Sequence, residues 1–267
     1  MLGGAATGRL ACRSPNIQNP PRGADFRALF APTAGRVFVV ADYSQVELRV
    51  AALVSGDSAM LAAYDAGEDL HRKTAAAVLK KAPGDVTKSE RQMAKAINFG
   101  LLFGSGAAGL QRYATTAYGV SMSLAEAKRA RSAFFAAYPG FAKWQTATRD
   151  AAERAQQVRT PGGRVRNLEG TRSLQTECLN TPIQGGAAEC LLVALATLEP
   201  ALAGLGADLC NVIHDELVVE CDPERAADVI GAVEAAMVAG FLAIFPQGAT
   251  RDLVEAHSGA NWAAAKG

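Results

Sequence analysis

The sequence has few of the features that mark secreted, membrane-spanning or zinc-bound proteins. Residues 1–10 lack a basic segment followed by an apolar one, and no apolar run approaches the ~18 residues that a membrane span requires. The five cysteines are odd in number and show no C-x-x-C spacing, which argues against a disulfide framework and against a zinc site. We therefore expect small, buried cysteines, a reducing cytoplasmic compartment and no membrane partner.

The chain also lacks a large net charge, but its charges are unevenly distributed. The formal net charge is +1, yet residues 71–131 contain eleven Lys or Arg and three Asp or Glu. Residues 208–255 contain ten Asp or Glu and two Arg. A basic block and an acidic block are typical of a protein that holds a polyanion with one part and metal cations with another. Uneven solvation of two helical surfaces would give the same pattern.

The hydrophobic pattern predicts an α+β protein in which a small, mostly antiparallel sheet carries acids. Residues 1–35 are rich in Pro, Gly and Asn and predict an irregular lead-in. The apolar residues 36–42 predict a buried strand, and the capping-box pattern at residues 44–47 predicts a helix after it. Residues 208–213 and 217–221 predict a hairpin with acids at its tip, followed by a helix and a short strand.

An all-helical insertion that carries bases is predicted to interrupt this sheet. Its periodicity covers residues 69–159, with breaks at Pro83, Gly104 and Pro139. A second capping-box pattern, at residues 87–90, predicts a helix from about Lys88 to Phe103 or Gly104.

Two elements join this insertion to the acidic hairpin. Residues 157–168 predict a strand–turn–strand, and a helix is predicted at residues 182–198 with Pro182 in its first turn.

Two acids at predicted strand ends, Asp42 and Asp215, are candidates to share divalent cations. Carboxylate oxygens suit Mg²⁺, which takes one or two carboxylates and fills its other positions with water and phosphate. Two such ions ~3.5–4 Å apart can activate an attacking oxygen and stabilise a leaving one in phosphoryl transfer. Either Asp alone is explained more readily by a turn or a cap.

The helix predicted at about residue 88 places cations and an aromatic residue in line. Arg91, Lys95, Asn98, Phe99 and Leu102 recur at spacings that put them on one face. A nucleoside triphosphate needs the same order of groups, because its phosphates meet Arg and Lys and its sugar or base meets an aromatic surface. This face therefore favours nucleotide binding over an ordinary amphipathic helix.

These segments together resemble the family A DNA polymerases, the bacterial polymerase I group and its phage relatives. Residues 41–49 (ADYSQVELR) look like motif A of that family, residues 91–100 match motif B, and residues 212–216 (VIHDE) are similar to motif C. Shorter matches follow the same order along the chain: residues 7–10, 15–19, 69–71, 180–185 and 259–262.

The resemblance implies template-directed DNA synthesis, in which deoxynucleoside monophosphates from dNTPs join a primer 3′-hydroxyl and pyrophosphate is released. It implies a palm at residues 1–70 and 157–267, helical fingers at residues 71–156, and primer–template DNA as partner. It implies two Mg²⁺ ions, for which Mn²⁺ can substitute, and a bacterial cytoplasm or nucleoid or a phage-infected cell. No thumb or exonuclease domain is expected in the chain, so primer–template binding would be weak and salt-dependent unless other chains or domains supply them.

The resemblance also assigns roles at the reaction centre. Asp42 and Asp215 would bind both metals together with the backbone carbonyl of Tyr43, and Glu216 would lie near the metals. Glu47 would sit under the sugar and exclude a ribose hydroxyl. The triphosphate and base would contact His71, Arg91, Lys95 and Phe99, with Lys95 also a proton donor to pyrophosphate.

Eight further residues are implied to line the primer–template duplex: Arg9, Asn16, Gln18, Phe103, Arg164, Asn180, Gln184 and His214. Two departures stand out. Phe103 occupies the place of a usual Tyr near the templating base, and Ala11-Cys12 replaces a usual pair of serines. His257 belongs to no motif and is expected at the surface.

Two other functions fit the same residues. A single-subunit RNA polymerase shares the palm and the Lys-bearing helix, but Glu47, the run at residues 98–100 and Glu216 favour DNA synthesis. A nucleic-acid-binding remnant that has lost turnover would also keep the fold. The presence of every residue that the resemblance assigns to the reaction weighs against this alternative.

Overall fold

The computed structural model describes residues 4–20 and 23–266, and their contacts divide the chain into two compact units. Unit 1 comprises residues 1–46 and 184–267, and unit 2 comprises residues 47–183. Helices combine with small antiparallel sheets, which confirms the α+β prediction. The division into palm and fingers predicted above is defined by motifs and not by contacts, so it stays a prediction.

Within the described residues the chain forms ten α-helices and six strands. The helices are α1 Ala24–Arg27, α2 Val46–Ser55, α3 Ser58–Asp65, α4 Leu70–Leu79, α5 Lys88–Leu102, α6 Ala107–Tyr118, α7 Leu124–Ala137, α8 Pro139–Ala155, α9 Leu174–Leu205 and α10 Ala226–Ile244. The strands are β1 Val37–Tyr43, β2 Gln157–Arg159, β3 Val165–Asn167, β4 Asp208–Ile213, β5 Glu216–Cys221 and β6 Val254–Gly259.

Unit 1 is built on a four-stranded sheet in the order β4-β5-β1-β6, with every neighbouring pair antiparallel. The apolar run predicted as a strand forms β1, which lies between β5 and β6, and its residues 38–41 are buried. The register places Asp42 opposite Glu216 on β5 and opposite Glu255 on β6. The predicted hairpin is therefore confirmed, and its acidic tip lies beside the acidic end of β1.

Helix α10 packs against the sheet and against the second part of α9. The phenol of Tyr43 donates a hydrogen bond of 2.6 Å to the carbonyl of Met237, which ties the end of β1 to α10. At Gly240 the two helices approach closely, since a Cβ there would lie 2.4 Å from the carbonyl oxygen of Cys190 and 2.9 Å from the Cβ of Ala194. The position of the helix behind the sheet thus depends on a residue without a side chain.

Unit 2 is mainly helical, and its helix α5 begins where the sequence predicts. Thr87 and Glu90 form both halves of a capping box, so the backbone amides of these two residues are satisfied locally. At the other end of α5, the buried Gln145 of α8 donates hydrogen bonds to the carbonyls of Leu101 (2.8 Å) and Leu102 (3.3 Å). Both ends of the helix that carries the candidate cations are therefore fixed.

The predicted strand–turn–strand is confirmed as β2 and β3, but two other predictions are wrong. Helix α9 begins at Leu174, eight residues before Pro182, so the proline lies inside the helix. Buried Cys178, Leu179 and Ile183 pack this first part of the helix, which offsets the cost of an interior proline. The cysteines are not all buried either: Cys210 is exposed and Cys12 is partly exposed, although all five are free thiols.

Among the residues that the structure describes, two helices are long and apolar enough, by length and composition alone, to cross a membrane, although the sequence contains no uninterrupted apolar run of that length. They are α9 and the segment Pro223–Ile244, and one third of each apolar window is buried inside the protein. Core helices of water-soluble proteins meet the same two conditions, so this finding alone is weak evidence for a membrane span.

Candidate active site

The two acids singled out by the sequence lie beside each other in unit 1. Asp42 is partly exposed and follows the buried residues 38–41 of β1. The next backbone amide, that of Tyr43, donates a hydrogen bond of 3.2 Å to the carbonyl of Asp215. His214 adopts φ +58°, a conformation that tightens the β4–β5 turn and leaves its own side chain exposed. The main chain therefore holds Asp42 and Asp215 at one edge of the sheet.

A cation from the end of the chain already contacts this acidic edge. The ammonium of Lys266 lies 3.3 Å from a carboxylate oxygen of Asp42 and also contacts the carboxylate of Glu216. Glu216 is 3% exposed, and its other oxygen accepts a hydrogen bond of 2.7 Å from the indole of Trp262. Burial raises the pKa of Asp42, and the charge and hydrogen bond of Lys266 oppose that rise. No sequence pattern pointed to Lys266.

The donor set fits hard divalent cations. Among the described residues no group of three or more His, Cys, Asp or Glu side chains could hold a metal, so a chelating cage is not available there. Magnesium does not need one, because it binds through one or two carboxylates and keeps water and phosphate as further ligands. Asp42 and Asp215 supply such carboxylates, and the ammonium of Lys266 shows that positive charge is attracted to this edge. Glu216 has both oxygens engaged by Trp262 and Lys266.

The second group of candidates lies on α5 in unit 2. Arg91, Lys95 and Phe99 are partly exposed at four-residue intervals, and Phe103 continues this row at the helix end. Asn98 and Leu102 are fully buried, so the predicted five-residue face is in fact narrower. The row presents two cations and then aromatic rings, in the order that the sequence predicts.

Buried neighbours fix His71 next to this row. His71 is 2% exposed, and its Nδ1 lies 2.8 Å from the amide nitrogen of Asn98. Because an amide NH₂ group can only donate, Nδ1 accepts and the proton of the neutral ring lies on Nε2. Burial lowers the pKa of His71 to about 4, so the ring is neutral at neutral pH. Its ring centroid is 5.9 Å from that of Phe99.

Burial also lowers the pKa of Lys95, and the nearby charge of Arg91 acts in the same direction while Asp69 opposes it. A lysine whose pKa is lowered gives up its proton more readily than an ordinary surface lysine. Asp69 itself contacts Arg91 through a hydrogen bond of 2.5 Å from the guanidinium Nε. The motif match at residues 69–71 includes this Asp without giving it a role.

Three nucleic-acid candidates of unit 1, Asn16, Gln18 and His214, lie at or near the β4–β5 hairpin. Gln18 is buried and donates a hydrogen bond of 2.9 Å to the carbonyl of Val212, which anchors the irregular lead-in to β4. The side chain of Asn16 accepts a hydrogen bond of 3.2 Å from the amide of Gln18. Exposed His214 lies at the tip of the same hairpin. The remaining candidates of this unit, Arg9 and Gln184, are both partly exposed.

In unit 2 the corresponding candidates occupy several elements. Arg164 follows the turn between β2 and β3, where its amide donates a hydrogen bond of 3.0 Å to the hydroxyl of Thr160. Glu47 lies in the first turn of α2 and is partly exposed. Asn180, on α9, carries a buried amide oxygen that has no hydrogen-bond partner in the described structure. An unsatisfied acceptor of this kind is available to a ligand.

Comparison with known proteins identifies the family. The sequence profile of DNA polymerase family A matches residues 2–264, almost the entire chain. The chain belongs to DNA polymerase family A. The resemblance drawn from the motifs at residues 41–49, 91–100 and 212–216 is thereby confirmed.

Other members of family A are similar over most of this chain. It is 41% identical to DNA polymerase I of Aquifex aeolicus (strain VF5) over 236 aligned residues. The alignment covers 88% of this chain and 40% of the relative. It is 31% identical over 274 residues to a thermostable DNA polymerase I of Thermus thermophilus, covering 98% of this chain and 32% of the relative. The chain thus spans less than half the length of these relatives.

A solved structure shares the fold. It is described as the POL domain of Pol1 from M. smegmatis in complex with DNA primer-template and dNTP. The two chains superpose with a TM-score of 0.87 at 30% sequence identity, over 98% of this chain and 47% of the other. The arrangement of helices and small antiparallel sheets described above is therefore that of a family A polymerase domain.

Proposed function

We propose that this chain catalyses template-directed DNA synthesis, adding deoxynucleoside monophosphates from dNTPs to a primer 3′-hydroxyl. The observation that carries the proposal is the backbone hydrogen bond from Tyr43, the residue after Asp42, to Asp215, which places the two acids close together. The chain that contains them matches family A over residues 2–264. Two carboxylates at one sheet edge suit phosphoryl transfer with divalent ions. The solved polymerase domain with primer-template and dNTP supports the choice of substrates.

Asp42 and Asp215 are proposed to hold two Mg²⁺ ions together with the carbonyl of Tyr43, with Mn²⁺ as an alternative ion. Bound there, the ions would supply Lewis-acid stabilisation of the phosphates and of the attacking oxygen. The chain's own contribution is to fix the carboxylates. The Tyr43 amide bonds the Asp215 carbonyl, and the Tyr43 phenol is tied to Met237 of α10. Glu216 is proposed to lie near the ions without being a required ligand, since its two carboxylate oxygens contact Trp262 and Lys266.

The row on α5 is proposed to bind the incoming nucleotide. Arg91, Lys95 and His71 would contact the triphosphate, the first two as cations and His71 through its neutral Nε2–H. The ring of Phe99 would pack on the nucleotide. Lys95, whose pKa is lowered, would give a proton to the departing pyrophosphate.

The duplex is proposed to contact the hairpin tip, the lead-in, the β2–β3 hairpin, the end of α5 and α9. The residues concerned are Arg9, Asn16, Gln18, Phe103, Arg164, Asn180, Gln184 and His214. Since a Phe stands at position 103, contact with the templating base would be by packing alone, without a hydroxyl. A palm at residues 1–70 and 157–267 and fingers at residues 71–156 complete the proposal. A bacterial cytoplasm is proposed as the location, supported by the bacterial origin of the relatives.

A primer-extension assay with Mg²⁺ and either deoxy- or ribonucleotides tests this function. We predict extension with dNTPs and rejection of rNTPs by the wild-type chain. Glu47→Ala should relax the rejection, because the carboxylate beneath the sugar would no longer exclude a 2′-hydroxyl. Asp65→Ala, at the end of α3, serves as a matched loss of one acid and should leave the sugar preference unchanged.

Two outcomes would contradict the proposal. Equal use of both nucleotide types by the wild-type chain would favour an RNA polymerase. No extension at high enzyme concentration, with DNA binding retained, would favour a nucleic-acid-binding remnant.

A further inference from the structure

One carboxylate in unit 2 joins the two segments that carry the proposed phosphate-binding residues. Oδ1 of Asp69 accepts hydrogen bonds from the amides of His71 (2.9 Å) and Arg72 (3.3 Å) and so caps helix α4. Oδ2 of the same side chain accepts the 2.5 Å bond from Nε of Arg91 on α5. Asp69 therefore connects the start of α4, where His71 lies, to the cationic row of α5.

The contact to Arg91 is made by Nε, at the base of the guanidinium group. Both terminal nitrogens of Arg91 consequently remain available to phosphate oxygens, and the plane of the group is fixed. The two side chains are 31% and 25% exposed, so the pair is shielded from water but still reachable by a ligand. A flexible arginine would have to order itself on binding, whereas this one is already held.

The charge of Asp69 argues against a simple electrostatic role. Burial raises its pKa, but the hydrogen bond and the charge of Arg91 outweigh burial and the pKa is lowered overall. The group is therefore an anion next to a site proposed for a polyanion. If charge alone mattered, its removal would strengthen phosphate binding. An acid next to a site for a polyanion is explained when its geometry matters more than its charge.

We propose that Asp69 is a positioning residue, which aligns Arg91 and the His71 segment as one phosphate-binding set. Asn98 has a similar relation to the ring of His71, because its amide holds Nδ1 and directs the proton to Nε2. The inference rests on the proposed function, since it assumes that Arg91 and His71 meet the triphosphate. It adds a residue that need not touch the nucleotide itself.

The test is a calorimetric titration of the full chain with inorganic pyrophosphate. Asp69→Asn keeps an oxygen that can cap α4 but removes the ionised acceptor of Arg91. Asp69→Ser is a second capping variant that cannot reach Arg91. Glu68→Gln is the matched control, because it removes the neighbouring negative charge, which contacts Lys73 at 2.8 Å and not Arg91. Circular dichroism melts establish that each variant is folded.

We expect both Asp69 variants to weaken pyrophosphate binding by about tenfold, the loss that corresponds to one charge-assisted hydrogen bond. Glu68→Gln should bind as the wild type does. The double variant Asp69→Asn/Arg91→Ala should bind no more weakly than Arg91→Ala alone, because Asp69 acts through Arg91. A purely structural role for Asp69 would instead make the two losses additive.

The inference is overturned if Asp69→Asn binds pyrophosphate as tightly as the wild type, or more tightly, while Arg91→Ala binds it weakly. Additive losses in the double variant would overturn it as well. If Arg91→Ala also binds like the wild type, the nucleotide-binding assignment of the proposed function fails, which is a separate result.

Discussion

At the scale of single residues, burial decides the charge of His71. Its pKa is lowered to about 4 by burial, below the ordinary value of 6.5, so the unfolded chain takes up a proton at a higher pH than the folded one. Stability should therefore fall as the pH is lowered from about 6.5 to about 4, by up to about 3 kcal/mol from this group. Above about pH 6.5 the His71 contribution is constant.

Urea unfolding at several pH values measures this effect. His71→Gln should lose the part of the pH dependence that lies between about 4 and 6.5. His257→Gln, at an exposed histidine, should keep it. The charged groups that influence His71 are Asp69, Arg91 and Lys95, and all three are unchanged in both variants. An identical pH dependence of stability in His71→Gln and the wild type would contradict the assignment.

The residues recognised from the sequence are those that belong to local patterns. Asp42 ends an apolar run, and Arg91 and Lys95 stand one helical turn apart, so each was predictable. Lys266 lies 224 residues from Asp42 in the chain and reaches it only through the folded sheet and Trp262. From the sequence, Asp69 belongs only to the motif match at residues 69–71. Its contact with Arg91 could not be predicted, because that hydrogen bond joins two helices.

At the scale of elements, the close approach of α9 and α10 depends on Gly240. A methyl group there would overlap the backbone of α9 at Cys190 and Ala194, so Gly240→Ala should destabilise the protein by about 1–3 kcal/mol. Gly231 lies in the same helix, where an added Cβ would meet no atom within 4 Å, and Gly231→Ala should stabilise by about 0.5–1 kcal/mol. Thermal unfolding of the two variants measures the direction of each change in stability. An unchanged stability of Gly240→Ala would refute the close contact.

Elements with local start and stop signals were predicted well, and those decided by packing were not. The capping box at residues 87–90 located the start of α5, since the signal is contained in four residues. The sequence predicts that α9 begins with Pro182 in its first turn, whereas the helix begins eight residues earlier, at Leu174. Burial of Cys178, Leu179 and Ile183 supports helix on both sides of that proline, and sequence periodicity alone does not show it.

At the scale of the whole molecule, the proposed chemistry depends on Asp42 and Asp215 acting together. The register of β1 with β5 and the backbone bond from Tyr43 to Asp215 hold the two acids at one sheet edge. Replacement of either carboxylate by an amide keeps the shape but removes the negative charge that a divalent ion needs. The folded structure should therefore survive both substitutions.

Primer extension with Mg²⁺ by the wild type, Asp42→Asn and Asp215→Asn is the most direct test of this claim. Each variant should lose extension by at least about a thousandfold, in keeping with the loss of metal-assisted phosphoryl transfer, while its circular dichroism melt stays close to that of the wild type. Near wild-type extension by folded Asp215→Asn would contradict the claim that the two acids act together.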